Sequence, residues 1–435
     1  MNLTQRIHTA ARRVMLLLAM ACGQMAVAQT QHTVEPGETL YRISRTYCLT
    51  VAELEQANPG LTADNLKAGS IIRIPSAVSM PDPPQARVNV ALVLPFSAKG
   101  LEGGRSIEFY RGFLLAAEQL AGQGSDINFH AYDERVGEAL AVPLQRISDG
   151  GVQVMVGPVY PEHFQEMANF ARANKVRMVV PFYSKADQVN TNPYVYLANT
   201  PEKFELEFVA DLFLRNFKGM NVAFMRLGGG NENNFTQYLR KRLMARGYAV
   251  TEFAYDAPLE QMKTACNASR NTIVIPDASN EAGLAKALAK VEGFRKYYPQ
   301  YGIQLFGYPD WLDFADKYKE RMHAADTYVY TGNFYNKHDA ATRAFVSAYT
   351  ARYGDQLQEV SPRMGLLGYD LAMHLIQGIA RYGTAFSTQA SGAPMLQSNL
   401  RFERTEEDGG LVNNSMFFIH YKPDGTVDKL AAAHK

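Results

Sequence analysis

VQVMVGPVYPEHFQEMANFARANKVRMVVPF, residues 152–182, reads as strand, helix, strand. Val152, Val154, Met155 and Val156 make a short apolar run that stops at Gly157-Pro158. Residues 162–173 carry a helical pattern, and 176–180 form a second apolar run. Short runs rich in β-branched residues with a helix between them make a right-handed crossover in a parallel sheet covered on both faces.

The same alternation extends outward from this unit. Upstream lie a strand at 88–94 (VNVALVL), a helix at 108–120 and a strand at 127–131, then a helix at 140–147. Phe109, Phe113, Ala116 and Leu120 share one face of the first of these helices. Downstream the pattern restarts. Helices are expected at 202–216, 234–246, 258–265 and 281–291, and strands at 221–225, 248–253, 271–275, 303–306 and 326–330. Two long helices follow at 340–353 and 362–382. Closing strands are expected around Phe402 and at 415–421 and 426–430, the last two joined by the turn Pro423-Asp424-Gly425. The fold class is α/β. Residues 88–430 are expected to hold two doubly wound parallel sheets in series, more than one ordinary domain.

Ahead of this unit, PSAVSMPDPPQAR (75–87) has four prolines and no apolar period, so 76–87 is expected to be an extended, semi-stiff linker. Before it stands HTVEPGETLYRISRTYCLTVAELEQANPGLTADNLKAGSIIRIP, residues 32–75. HTV and SIIRIP read as strands. Thr39 and Thr50 can each cap a helix, and Asn58-Pro59-Gly60 stops the second one. The order β-α-α-β is expected here, in a unit near the lower size limit for a lone core.

The first residues indicate export. Arg6, Arg12 and Arg13 precede an apolar core at 14–21 that is too short to span a bilayer, and Ala26-Val27-Ala28 is a cleavage signal. Residues 1–28 are therefore expected to be a signal peptide and Gln29 the mature start. The rival reading is a lipoprotein acylated at Cys22, but Ala19-Met20-Ala21 is a poor match to the segment that must precede such a cysteine. Both readings place the protein in the periplasm or cell envelope. No later segment has the apolar length of a membrane helix.

Lys and Arg number 44 and Asp and Glu 43; loss of 1–28 removes three Arg and no acid, leaving 41 against 43, or −2. So balanced a chain has no electrostatic footprint for nucleic acid. Cys48 and Cys266 fall in different units, and no disulfide between them is expected. The nine histidines include no H-E-x-x-H and no pair at i, i+4 spacing, so neither a metal site nor a cofactor is expected. Gly228-Gly229-Gly230 fits neither phosphate-loop pattern and reads as a strand-to-helix loop. Glu406-Glu407-Asp408 reads as a solvated turn.

Residues 32–75 resemble the lysin motif (LysM). The likeness lies in V-x-P-G-E-T-L-Y-x-I-S, the V-x-x-L-x-x-x-N-P helix and L-K-x-G-x-x-I-x-I-P. Glu38 stands where Asp is commoner, and Cys48 where the family usually has Gly. The resemblance implies binding to peptidoglycan through N-acetylglucosamine. The implied groove lies between Gly37, Glu38, Thr39 and Leu40 on one loop and Asn58, Pro59, Gly60 and Leu61 on the other.

Residues 88–430 resemble the type I periplasmic binding proteins, the two-lobed fold of branched-chain amino-acid receptors. The likeness lies in ALVLPFSAKG with FYRGFLLAAEQL, in VMVGPVYPEHFQEMANFARANKVRMVVPF, and in ARYGDQLQEVSPRMGLLGYDLAMHLIQGI. The resemblance implies three crossings between lobes, expected near Asn199, Thr331 and Asn399, and a ligand in the cleft between them. Amino-acid receptors of this type hold the ligand carboxylate with hydroxyls and backbone N–H groups. The matching loop Val159-Tyr160-Pro161-Glu162 has lost its hydroxyl residues, and Pro161 removes a donor. Tyr160, Phe182, Tyr183 and Ser184 from one lobe, and Asn234, Phe235 (as an aromatic lid) and Asp277 (for an amino group) from the other, are the implied cleft residues. Aromatic side chains there suit sugar rings, peptides or a protein segment, or else only fill the interface. Asp370 reads as a helix-start residue.

Three functions compete. The first is a non-enzymatic envelope protein that anchors to peptidoglycan and binds a ligand or protein partner, acting as scaffold or regulator of wall processes. The alternative is a tethered solute receptor for an importer. A cell-wall hydrolase fares worst, because Cys266 has no histidine partner and no G-x-S-x-G elbow is present.

Overall fold

A computed structural model of the protein describes residues 30–431 apart from 35–37, 41–42, 45–50, 75–86, 183–186, 229–232, 384–385, 389–390 and 393. The expected signal peptide, Cys22, Cys48 and all of the linker except Arg87 lie outside the described residues. Contacts divide the chain into a small N-terminal unit and a large unit spanning Asp82–Ala433.

In the small unit β1 (Thr30–Thr33) pairs antiparallel with β2 (Ile71–Ile74). The pleat sends Ile72 and Ile74 to one side. There they meet Leu54 of helix α1 (Val51–Ala57), Val34 and Ile43, which together form the core. Leu40, Ile43 and Ser44 are helical, as expected for a first helix.

The large unit holds two sheets of seven strands. The first comprises β3 (Val88–Leu94), β4 (Ile127–Asp133), β5 (Val154–Val156), β6 (Arg177–Val180), β7 (Val195–Leu197), β13 (Phe402–Arg404) and β14 (Leu411–Asn413). The second comprises β8 (Asn221–Arg226), β9 (Val250–Ala254), β10 (Thr272–Pro276), β11 (Ile303–Gly307), β12 (Thr327–Thr331), β15 (Phe417–Tyr421) and β16 (Val427–Ala431). Both have the same parallel core: β4-β3-β5-β6-β7 in the first and β9-β8-β10-β11-β12 in the second. Strand order therefore reverses between β3 and β5 and between β8 and β10. The edges are antiparallel additions, β13 on β14 and β15 with β16 on β12.

Strand β3 shows why the first lobe has two cores. Val88, Val90, Leu92 and Leu94 belong to one cluster, and Ala91 and Val93 to another on the opposite face. Helices α2 (Gly100–Gly122) and α11 (Met364–Tyr382) cover the first face. Helices α3 (Ala141–Asp149) and α4 (Pro161–Asn174) cover the second. Helices α2 and α11 touch backbone to backbone: a Cβ on Gly112 would stand 1.8 Å from the Gly365 carbonyl, and one on Gly368 2.0 Å from that of Phe109. In the second lobe α5 (Glu202–Asn216), α6 (Asn234–Ala245), α7 (Leu259–Ala265), α8 (Glu281–Tyr297) and α9 (Ala315–Ala324) surround one aromatic-rich core. Helix α10 (Ala340–Tyr353) returns to the first lobe, where Phe345 and Tyr349 join its core.

The chain crosses between lobes at 198–201, at 332–339 and at 414–416. The first two fall where the sequence places them. The third is fifteen residues later than the expected Asn399, because β13 and β14 first extend the sheet of lobe 1, β14 running parallel to β7. Strands β7 and β14 were not expected; three residues are too few to show a period. Helix α2 begins eight residues before the expected start, its first turns hidden by Gly103-Gly104.

Candidate functional site

The small unit offers less free surface than the eight implied groove residues suggest. Glu38 Oε2 lies 2.7 Å from His32 Nε2, and both side chains are largely sheltered. Leu40 is 1 % exposed and belongs to the core, so it is not a ligand wall. Asn58 is used by the fold: Nδ2 donates to the carbonyls of Leu54 and Arg73 at 2.8 Å each, and Oδ1 accepts from Arg73 N at 2.7 Å. These bonds tie the end of α1 to β2. Thr39, Pro59 and Gly60 are exposed, Leu61 packs partly on the core, and Gly37 lies outside the described residues.

In open α/β sheets, ligands bind outside the carboxyl ends of the strands where strand order reverses. In lobe 1 that point lies between the loops after β3 and β5. Gly157 closes β5 with φ +134°, and a Cβ there would stand 2.2 Å from the Val93 carbonyl, so only glycine fits. Next to it sits a residue that the sequence reading did not single out. Glu134, just past β4, is 1 % exposed. Its carboxylate accepts from Val159 N at 2.8 Å and Tyr160 N at 2.9 Å, and His163 Nδ1 lies 2.9 Å away. His163 Nε2 is 3.0 Å from the Glu138 carbonyl. Burial raises the Glu134 carboxyl, opposed by the bonds from Val159, His163 and Tyr160. Neighbouring Asp133 accepts from Ser97 N at 2.9 Å and from Arg135 Nε at 2.7 Å.

Tyr160 heads α4 and is partly exposed. Its phenol is raised by burial first and then by Glu102, with smaller contributions from Glu134 and Asp133. Phe182 packs edge-on against Phe109 at 5.2 Å. Tyr183 and Ser184 lie outside the described residues.

Lobe 2 departs further from the implied roles. Phe235 is 3 % exposed and stacks among Phe306, Tyr308 and Tyr330, so it is a core residue and not a lid. The physical reason is the helix period: its turn faces the sheet while Asn234 faces out. Asn234 Nδ2 donates to Glu202 Oε1 at 2.7 Å. Asp277 Oδ1 accepts from Leu227 N at 2.9 Å and so bridges the loops after β8 and β10. Asn233 caps α6, accepting from Thr236 N, and its Nδ2 donates to the Asp277 carbonyl and Tyr308 Oη. Glu205, in the first turns of α5, is pushed up to about 7 by burial and then by Glu202 and Asp310.

Asp370 is not a helix-start group. It is fully buried in the second turn of α11 and accepts from the backbone N–H groups of Leu396, Gln397 and Ser398 and from the Ser398 hydroxyl, holding that loop. Cys266 is a free thiol that burial pushes up to about 12. Gly228 is the only member of the triple-glycine loop among the described residues. Among the described residues no three His, Cys, Asp or Glu side chains cluster as a metal site, and no helix is long and apolar enough to cross a membrane.

With this geometry in place, comparison with known proteins identifies both units. A family profile described as LysM domain matches residues 32–75, and one described as periplasmic binding protein matches residues 87–426. The chain belongs to the periplasmic binding protein family. Among solved structures, the binding-protein fold is shared with a branched-chain amino acid ABC transporter protein from Rhodospirillum rubrum. It is 14% identical, with a TM-score of 0.53 over 79% of this chain and 100% of that one. A branched-chain amino acid ABC transporter periplasmic ligand-binding protein from Burkholderia xenovorans is 17% identical, covering 79% of this chain and 94% of that one with a TM-score of 0.46. No curated protein matches the chain.

Proposed function

We propose that this protein is a non-catalytic binding protein of the bacterial envelope, held on peptidoglycan by residues 32–75, whose two lobes close on a ligand. The observation that carries the reading is the pairing of a LysM match with a binding-protein match over 87–426 in one chain. Export by a signal peptide at 1–28 and a stiff spacer at 76–87 complete the arrangement: the tether holds the wall weakly and the spacer gives the lobes reach. Closure about the three crossings then reports an occupied cleft.

Two uses of that closure differ in their support. The reading as a tethered solute receptor for an importer is favoured by the family and by the Rhodospirillum rubrum structure, described as a branched-chain amino acid ABC transporter. The reading as a scaffold or regulator of wall processes is favoured by Glu134 and Asp277, which spend on the fold the groups that would meet an amino acid.

The test has two parts. The mature chain is expected to pellet with purified peptidoglycan, and a form lacking 29–75 to stay in the supernatant; pelleting that survives the truncation removes the tether. Thermal-shift screening of residues 88–435 with sugars, muropeptides and amino acids then seeks the cleft ligand. Stabilisation by none of these classes would count against a small-ligand cleft.

A further inference from the structure

The end of lobe 2 away from the cleft carries an aromatic and basic surface. Helix α8 ends within FRKYYPQYG, residues 294–302, and β11 follows at once. The loop before β10 lies alongside, because Thr272 N donates to the Gly302 carbonyl at 2.8 Å. Both loops stand at the amino ends of parallel strands, opposite the strand ends where a cleft ligand binds.

The rings of this stretch are anchored from below. Phe294 is fully buried in the core of lobe 2, and Tyr298 and Tyr301 pack on it with ring centres 5.0 and 5.5 Å away. Tyr297 stands outside that cluster and is 66 % exposed. Lys296 Nζ lies 5.9 Å from the Tyr297 ring, and Lys263 Nζ of α7 lies 5.5 Å from the Tyr298 ring. Lys263, Lys296 and Arg270, the last in the loop before β10, are exposed. Among the described residues none of the three has a carboxylate within ion-pair distance. Glu260 is the acid of this surface, and its Oε1 accepts from the Tyr298 hydroxyl at 3.0 Å. The result is a local positive patch around an exposed ring, on a chain whose overall charge is nearly balanced.

A flat ring face suits the apolar face of a sugar, and unpaired cations beside it suit carboxylates. Peptidoglycan presents both, as amino-sugar rings and as stem peptides that carry carboxylates. We propose that Tyr297 with Lys263, Lys296 and Arg270 is a second wall-binding surface, with a sugar ring on Tyr297 and stem carboxylates on the three cations. The inference rests on the envelope reading given above and deepens it by giving lobe 2 its own contact with the wall, on the side opposite the cleft. An exposed contact of this kind is weak alone, because water and salt screen it. Tethered through residues 32–75 it acts at the roughly millimolar effective concentration that a short linker gives, so it strengthens binding without causing pelleting by itself.

The experiment uses the mature full-length chain. Tyr297→Ala, and separately Lys263→Glu with Arg270→Glu and Lys296→Glu, are expected to weaken pelleting with peptidoglycan about tenfold or more at low salt. Unchanged pelleting of both variants overturns the proposal. Hydrogen exchange of the wild type locates the contact. A soluble disaccharide-tetrapeptide muropeptide at millimolar concentration is expected to protect residues 294–302, and chitotetraose, which has no carboxylate, to protect the small unit alone. Muropeptide protection confined to the small unit overturns the proposal. Phosphatidylglycerol vesicles that protect 294–302 where the muropeptide does not would make the partner a membrane and overturn it as well. Protection of the small unit reports the tether and protection of 294–302 reports lobe 2, so the two failures are read from different residues.

Discussion

Replacing Asn58 with alanine separates a structural role from sugar contact in the small unit. The change removes three hydrogen bonds, one to Leu54 of α1 and two to Arg73 of β2, that together tie the end of α1 to that strand. Those to Arg73 are exposed, so each bond is worth the low end of the usual range and the sum is about 2 kcal/mol. A unit of this length has a total stability of roughly 2–7 kcal/mol. A loss of about 2 kcal/mol raises the unfolded fraction about 30-fold. The small core of Val34, Ile43, Leu54, Ile72 and Ile74 has little reserve against that. The large unit shares none of these bonds and is expected to melt as before. The assay is calorimetry of the mature chain, with peptidoglycan pelleting measured below and above the new transition of the small unit. Pelleting is expected to persist below it and vanish above it. Loss of pelleting at a temperature where the unit is still folded would refute the reasoning, because Asn58 would then be touching sugar.

Three further outcomes follow from buried groups. His374 is fully buried beside Phe386 and Phe402 with neither ring nitrogen hydrogen-bonded, and burial lowers it to about 4. Its folded value lies below the unfolded one, so the neutral form is at no disadvantage above pH 6.5 and stability is lost as pH falls from about 6.5 to 4, by about 3 kcal/mol in total. Glu205, raised to about 7, acts in the opposite sense over pH 7 to 4.5, so the share of His374 is read as the difference between wild type and His374→Leu in urea titrations at pH 7.5 and 5. An identical pH dependence in the two would contradict the buried, neutral ring. Gly112→Ala sets a Cβ 1.8 Å from the Gly365 carbonyl and is expected to cost about 1–3 kcal/mol, seen as a lower melting temperature of the large unit; an unchanged one would mean that α2 and α11 separate freely. Cys266, held near 12, should resist maleimide at pH 8 in the folded protein and react once unfolded.

The relation between sequence and structure is clearest at particular elements. Strand β3 declares itself because all seven of its residues are apolar or flanked by apolar ones, and its burial on both faces follows. The hairpin at Pro423-Asp424-Gly425 is equally plain: Gly425 takes φ +83° and Lys422 pairs with Thr426. Helix α9, ADKYKERMHA, carries too many charges for its two buried residues, Met322 and His323, to show a helical period. At the site, Tyr160 and Asp277 are legible as strand-end residues. Glu134 was signalled only by two consecutive acids at the end of an apolar strand, in AYDE, a pattern with many solvated counterparts.

Local pattern by itself determined the alternation of strands and helices, the restart that makes two sheets, and the small separate unit ahead of them. These are set by side-chain periodicity and turn chemistry, which act over a few residues. Only the tertiary structure decided what the polar groups do. Glu134 meets Val159 and Tyr160 across 25 and 26 positions of sequence, Asn58 meets Arg73 across 15, and Phe235 turns inward from α6 onto Phe306, Tyr308 and Tyr330 at β11 and β12. A carboxylate or amide looks the same in sequence whether it faces solvent or a buried amide. Which it meets is fixed by the packing of distant elements, because a polar group sealed from water must find its partner wherever the fold brings one.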